Sequence, residues 1–203
     1  MLEFYFGFEK SILDFFASMH GSFFDYIVLA ITLLGDFSTV WVVCGIVFLC
    51  FKQTRAMGIV VIISAILPGL FNDYVLKPLI NRARPFHVIA EYKVFVEAIF
   101  PKKFLVWGGV PTKQSMPSGH SISAFGAAGA MIVFSKKFGI PALILATLIA
   151  LSRVYLLVHF PTDILVGSMF GAVCGLGFAF ILKLLILPKI TQRIKRNKKT
   201  PIE

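Results

Sequence analysis

Apolar residues in this chain run in long unbroken stretches rather than in the short alternating pattern of a half-buried strand, and that is how segments facing lipid or one another read. Residues 37–51 (FSTVWVVCGIVFLCF), 56–76, 118–135, 139–158 and 163–187 are such stretches. Each predicts a helix, because a helix satisfies its own backbone where no water is present. Together they predict an all-α, polytopic membrane helical bundle of about five to six transmembrane helices. The stretch at 37–51 is short for a crossing of roughly 20 residues unless the helix recruits residues beyond Gly35 and Asp36. Residues 1–34 are rich in aromatic side chains but interrupted by Glu3, Glu9, Lys10, Asp14 and Asp25. The expectation there is an N-terminal amphipathic interfacial helix near residues 8–18 instead of a span.

Local punctuation refines this picture. Pro68 and Gly69 predict a bend in the second span, with Asn72 and Asp73 marking its exit. Gly167, Gly171 and Gly175 repeat at every fourth position, which strips one helix face of side chains and predicts close backbone approach to a neighbour. The chain divides into an N-terminal interfacial region (1–36), a membrane-embedded domain (37–187) and a basic tail (188–203).

Composition excludes a water-soluble globule. Of 203 residues, 58% are apolar and 15% charged, against about 25% charged in soluble domains. The net charge of +10 is compatible with nucleic acid, anionic lipid headgroups or an acidic substrate. The hydrophobicity favours the last two, so no nucleic-acid partner is expected. Cys44, Cys50 and Cys174 lie in apolar stretches without paired spacing and read as packing residues. Glu3 and Glu9 stand where a secretory signal carries positive charge, and the N-terminal segment is expected to be retained. Lys52 and Arg55, Lys136 and Lys137, and the tail with Lys189, Arg193, Lys195, Arg196, Lys198 and Lys199 share one side of the predicted topology. That side is cytoplasmic by the positive-inside rule. The loop from about 77 to 117 also carries seven Lys and Arg, so the rule decides only if some of those charges have another task.

Three clusters carry chemistry: KPLINRARP at 77–85, PSGH at 117–120 and SRVYLLVHFPTD at 152–163. Each sits at a span boundary. An even number of crossings separates the second from the third, so one face can gather all three. Their pocket would hold Lys77, Arg84 and Arg153 as cations, His120 and His159 as imidazoles and Asp163 as one carboxylate. Three cations near membrane depth are costly and usually functional. They suit an anion with several oxygens, phosphate above all. Ser118 is a good N-cap and Gly119 allows close backbone approach, although PSGH alone also reads as an ordinary helix start. Asp163 lies four residues after His159, where it can fix one ring nitrogen and free the other as a nucleophile; a capping Asp beside an interfacial His is the plainer alternative. Two His and one Asp could also form a metal triad, but the adjacent cations would repel a divalent ion. His20 and His87 have no comparable company.

The three clusters resemble the type 2 phosphatidic acid phosphatase superfamily, whose pattern KxxxxxxRP, PSGH and SRxxxxxHxxxD is complete here and in order. The resemblance implies His120 as general acid toward the leaving oxygen and His159 as the nucleophile forming a phosphohistidine, oriented by Asp163. It implies that Lys77, Arg84, Ser118, Gly119 and Arg153 hold the phosphoryl oxygens and that no metal or other cofactor is needed. Relatives act on isoprenoid diphosphates, phosphatidylglycerophosphate, phosphatidic acid, lipid A and sugar phosphates, and one branch binds vanadate. The expected partner is a lipid phosphate or diphosphate in the bilayer, undecaprenyl diphosphate first and phosphatidylglycerophosphate next. The expected setting is a bacterial cytoplasmic membrane with the site facing outward. The segment 86–116, with Phe95, Phe100, Phe104 and Trp107, is expected to cap the tail entrance or to serve as a structural plug. A non-catalytic protein that cradles anionic lipid is the alternative of a different class. Nothing in the sequence fixes the oligomeric state.

Overall fold

The structure, a computed structural model, describes residues 2–21, 23–99, 114–186 and 188. Phe100, Phe104 and Trp107 of the loop, and the tail from Lys189 onward, lie outside the described residues. Among the described residues every regular element is helical: α1 (Gly7–Ala17), α2 (Phe24–Gly35), α3 (Thr39–Cys50), α4 (Arg55–Phe71), α5 (Lys77–Ile80), α6 (Pro85–Val88), α7 (Ala90–Ile99), α8 (Gly119–Phe134), α9 (Lys136–Tyr155) and α10 (Pro161–Phe180). Two isolated bridges, Leu2 with Arg82 and Ala83 with Gln114, tie the loop after α5 to the N-terminus and to the segment before α8. Four helical stretches are long and apolar enough to cross a membrane, namely Phe24–Cys50, Arg55–Ile80, Lys136–Tyr155 and Pro161–Leu184, and α8 is a shorter apolar helix beside them.

The amphipathic helix forms where expected. Its Glu9 and Leu13 are buried, while Phe8, Ile12 and Phe15 are exposed. The first span differs from expectation: it begins at Phe24, so the boundary drawn at 36/37 falls inside a single 27-residue stretch. The two acids that suggested interruptions are partnered across helices. Asp25 accepts a hydrogen bond from the Tyr155 hydroxyl at 2.6 Å, and Asp36 lies 2.7 Å from His120 Nε2. A carboxylate with such a partner no longer forbids a buried helix. The second span also runs further than expected. Pro68 is accommodated within α4, the departure from α geometry is a π-helical turn at Asn72–Leu76, and the helix resumes to Ile80. Asn72 is therefore no exit marker; it is buried and its Nδ2 donates to the Pro117 carbonyl at 3.3 Å.

Helix α8 sits at the centre, against α4, α9 and α10. Its sequence, GHSISAFGAAGAMIVF, places small side chains along most of its length, which lets three neighbours approach. The glycine face of α10 is the complementary surface. A Cβ at Gly167 would stand 2.7 Å from the Ser118 carbonyl oxygen, and Cβ atoms at Gly171 and Gly175 would collide with the carbonyls of Ile122 and Gly126. Gly175→Leu is thus expected to cost about 1–3 kcal/mol by overpacking, read as a lower unfolding midpoint in detergent. Gly177→Leu, at a position with open space around it, should leave the midpoint in place; equal losses in both variants would refute the close-approach reading.

Candidate active site

The same packing that seats α10 on α8 brings the three clusters to one end of the bundle. Ser118 caps α8, accepting from the Ser121 amide at 3.4 Å. Its own amide donates to the Asp163 carbonyl at 3.1 Å, so the PSGH turn is stitched to the first turn of α10. Between α9 and α10 the chain folds back: the amides of Val158 and His159 both donate to the Arg153 carbonyl, at 3.2 and 3.3 Å. This turn, with Leu157 at a φ of 57°, puts His159 beside Arg153.

His159 is almost fully buried. Its Nδ1 lies 3.5 Å from Asp163 Oδ2 and 3.4 Å from Ser115 Oγ, while its Nε2 lies 3.2 Å from Arg84 Nη1. A guanidinium has only protons to give, so Nε2 accepts and the ring proton sits on Nδ1, toward the carboxylate. Burial, and after it the positive charges of Arg84, Arg153 and Lys77 and the neighbouring His120, hold the His159 imidazole well below its ordinary value of 6.5. The ring is therefore neutral at physiological pH, with a lone pair on Nε2. Arg84 is pushed down to about 9 by burial and by Arg153 and remains a cation at neutral pH. Its Nη1 also donates to the Val158 carbonyl at 2.7 Å.

The remaining cations are held without being fully occupied. Lys77 pairs with Asp73 at 2.6 Å. Arg153 Nη1 donates to Thr32 Oγ1 at 2.6 Å, whereas its buried Nε has no hydrogen-bond partner among the described residues. A buried guanidinium N–H without a protein acceptor is costly and suits an anion. A Cβ at Gly119 would make only an ordinary contact, 3.7 Å from Asn72 Nδ2, so packing against the second span does not by itself demand glycine there. His120 is about one-fifth exposed. Among the described residues no group of three or more His, Cys, Asp or Glu side chains is arranged to hold a metal ion.

Sequence reasoning missed the layer beneath these residues. Arg82, fully buried, donates through Nη1 to Asp163 Oδ1 at 2.7 Å and to Thr162 Oγ1 at 2.7 Å, and through Nη2 to Glu9 Oε2 at 2.7 Å. Glu9 in turn accepts from the Thr162 amide at 3.2 Å. Asp163 therefore serves four groups at once, with one oxygen on Arg82 and the other shared by His159, the Ser115 hydroxyl and the Phe160 amide. One signal was available for Asp36, an acid inside an apolar stretch; none marked Arg82 apart from its place inside the first cluster, at a position the pattern leaves open.

A profile described as the PAP2 superfamily matches residues 53–185. An undecaprenyl-diphosphatase from Sulfolobus acidocaldarius is 34% identical over 66% of this chain, a match that spans 59% of that protein's length. A lipid A 4'-phosphatase from Bacteroides thetaiotaomicron is 26% identical over 99% of this chain and 86% of its own. In three dimensions the chain is similar to a crystal structure of a PAP2-type phosphatidylglycerolphosphate phosphatase from Bacillus subtilis. The TM-score is 0.61 at 25% identity, covering 93% of this chain and 86% of the other.

Proposed function

We propose, since this chain belongs to the PAP2 superfamily, that it is an integral membrane phosphatase that hydrolyses a phosphate or diphosphate ester of a lipid through a phosphohistidine intermediate. The observation that carries this reading is the neutral His159 ring, with Nδ1 toward Asp163 at 3.5 Å and Nε2 turned to Arg84 at 3.2 Å. Nε2 attacks phosphorus, the P–O bond to the lipid breaks, and His120 gives its proton to the leaving oxygen. Arg84 Nη1 exchanges the imidazole for a phosphoryl oxygen, and Lys77, Arg153, Ser118 and the Gly119 amide complete the cradle at the start of α8. These donors face oxygens whose charge grows in the transition state, and their fixed positions make them effective. In the second step water attacks phosphorus, His120 accepts the water proton, the P–N bond breaks to free His159 Nε2, and inorganic phosphate leaves.

The substrate of this reading is undecaprenyl diphosphate, supported by the name of the Sulfolobus acidocaldarius relative. The match of a lipid A 4'-phosphatase along nearly the whole chain favours lipid A as second reading, and the B. subtilis neighbour adds phosphatidylglycerophosphate. The site faces the extracytoplasmic side of a bacterial cytoplasmic membrane. Three of the charges that blurred the positive-inside count, Lys77, Arg82 and Arg84, are engaged at the site, which leaves four on that loop against Lys52, Arg55, Lys136, Lys137 and the six Lys and Arg of the tail on the cytoplasmic side. The region 37–187 acts as the catalytic domain together with residues from Phe24 onward, and α1 rests in the interface by its Phe8, Ile12 and Phe15 face.

The test compares phosphate release from undecaprenyl diphosphate, phosphatidylglycerophosphate and lipid A in matched detergent with a chelator present. Turnover in chelator, with an acid-labile phosphoenzyme, is expected. Activity lost on chelation and restored only by a divalent ion would overturn the mechanism. Binding of these lipids without turnover would favour the non-catalytic cradle instead.

A further inference from the structure

The first span, upstream of the residues that the family profile matches, reaches the site twice. Thr32 and Asp36 are four residues apart and share one face of the helix. Thr32 Oγ1 accepts from Arg153 Nη1 at 2.6 Å, and Asp36 Oδ1 lies 2.7 Å from His120 Nε2. Between them Gly35 is packed so tightly that a Cβ would stand 2.7 Å from Ile149 Cγ2 and 2.9 Å from His120 Cδ2, which fixes the height of the helix against the imidazole. Immediately after Asp36 the helix breaks into a 3-10 turn with Phe37 at φ 50° and Ser38 at φ 60°. Both occupy the left-handed region that side chains rarely adopt. Ser38 is locked there by its hydroxyl, which donates to the Ala65 carbonyl at 3.2 Å and can accept from the Ser123 hydroxyl at 2.9 Å. The break takes Asp36 off the regular helical path where it faces His120.

We propose that Asp36 is a positioning residue for His120: its carboxylate accepts the Nε2 proton, so that Nδ1 is the nitrogen turned to the reacting oxygen. The arrangement repeats, on a different helix, the way Asp163 holds His159, with the roles of the two rings separated by which nitrogen each carboxylate occupies. In the first step the Nδ1 proton passes to the leaving oxygen as the ester P–O bond breaks, and in the second Nδ1 takes a proton from water while Asp36 keeps Nε2–H in place. The carboxylate also balances a ring that must become an imidazolium within electrostatic reach of Arg153 and Arg84. Such a pairing fixes tautomer and orientation without the carboxylate touching substrate.

This inference rests on the reading of His120 as the general acid, and leaving-group dependence tests the two separately. The full chain in detergent is given phenyl phosphate or 2,4-dinitrophenyl phosphate, and phenol release is followed in a single turnover. A poor leaving group needs its proton; a good one departs without it. Asp36→Asn is expected to slow phenyl phosphate cleavage by about tenfold or more and to leave dinitrophenyl phosphate cleavage within about threefold. Asp36→Glu keeps the charge but shifts it along the side chain; it should show the same selectivity with a smaller loss, and it carries the test if the Asn variant does not fold. Equal losses on both substrates, or none, overturn the proposal. His120→Ala separates the cases. If it is selective against phenyl phosphate and the Asp36 variants are not, only the role of Asp36 fails; if His120→Ala is itself unselective, the general-acid reading fails and Asp36 with it.

Discussion

Replacing His159 with alanine is expected to lower phosphate release by about four to six orders of magnitude, the scale on which covalent catalysis collapses when its nucleophile is removed. The expectation follows from geometry. Arg84 Nη1 occupies the acceptor side of the ring at 3.2 Å, so the alanine variant keeps every cation of the cradle and still binds the phosphoryl group, while nothing remains to form the P–N bond. Binding of a lipid phosphate should accordingly survive, and the acid-labile phosphoenzyme should vanish. Added imidazole is expected to restore part of the turnover by entering the space the ring leaves. The fold should tolerate the change, because Arg84 stays anchored on the Val158 carbonyl at 2.7 Å. Phosphoenzyme yield unchanged in His159→Ala would assign the nucleophile elsewhere.

The second large effect is expected from Arg82, which touches no substrate in this reading. Its guanidinium lies between the carboxylates of Glu9 and Asp163, all three side chains fully buried, and is flanked by the rings of Phe4 at 4.7 Å and Phe160 at 4.1 Å. Arg82→Met keeps much of the volume but strands two buried carboxylates. Breaking a buried pair by removing one partner costs about 3–5 kcal/mol. A fall of the unfolding midpoint in detergent together with a loss of turnover of about a hundredfold is therefore expected, the latter because Asp163 Oδ1 loses its anchor and His159 its fixed orientation. Adding Glu9→Gln should return part of the stability, since one stranded charge is gone, and none of the activity. A double variant that recovers both would mean that Arg82 serves the fold alone.

What the sequence made legible was whatever depends on short spacing. The three clusters, the i to i+4 relation of His159 and Asp163, the cap at Ser118 and the glycine face of α10 are all local patterns, and each reappears as a contact. The extent of the first span was hidden because an acid in an apolar window reads as an interruption, and only its partner tells otherwise. Asp25 finds Tyr155 across 130 positions of the chain, and Asp36 finds His120 across 84. The same distance hid Glu9, 73 positions from Arg82: on the helix it looked like the polar side of an amphipathic segment, when it is the buried end of a charge chain. Pro68 misled in the opposite direction, since α4 absorbs it and the irregular turn comes at Asn72.

The chain of contacts from α1 through Glu9 and Arg82 to Asp163 has a mechanical meaning. α1 presents Phe8, Ile12 and Phe15 outward and holds the catalytic carboxylate inward, so it behaves as a float moored to the reaction centre. On the reading proposed above, a change in how α1 is seated would reach, through Glu9 and Arg82, the carboxylate beside His159. If α1 does rest at the bilayer surface, turnover is expected to vary with the surrounding lipid as well as with the concentration of substrate.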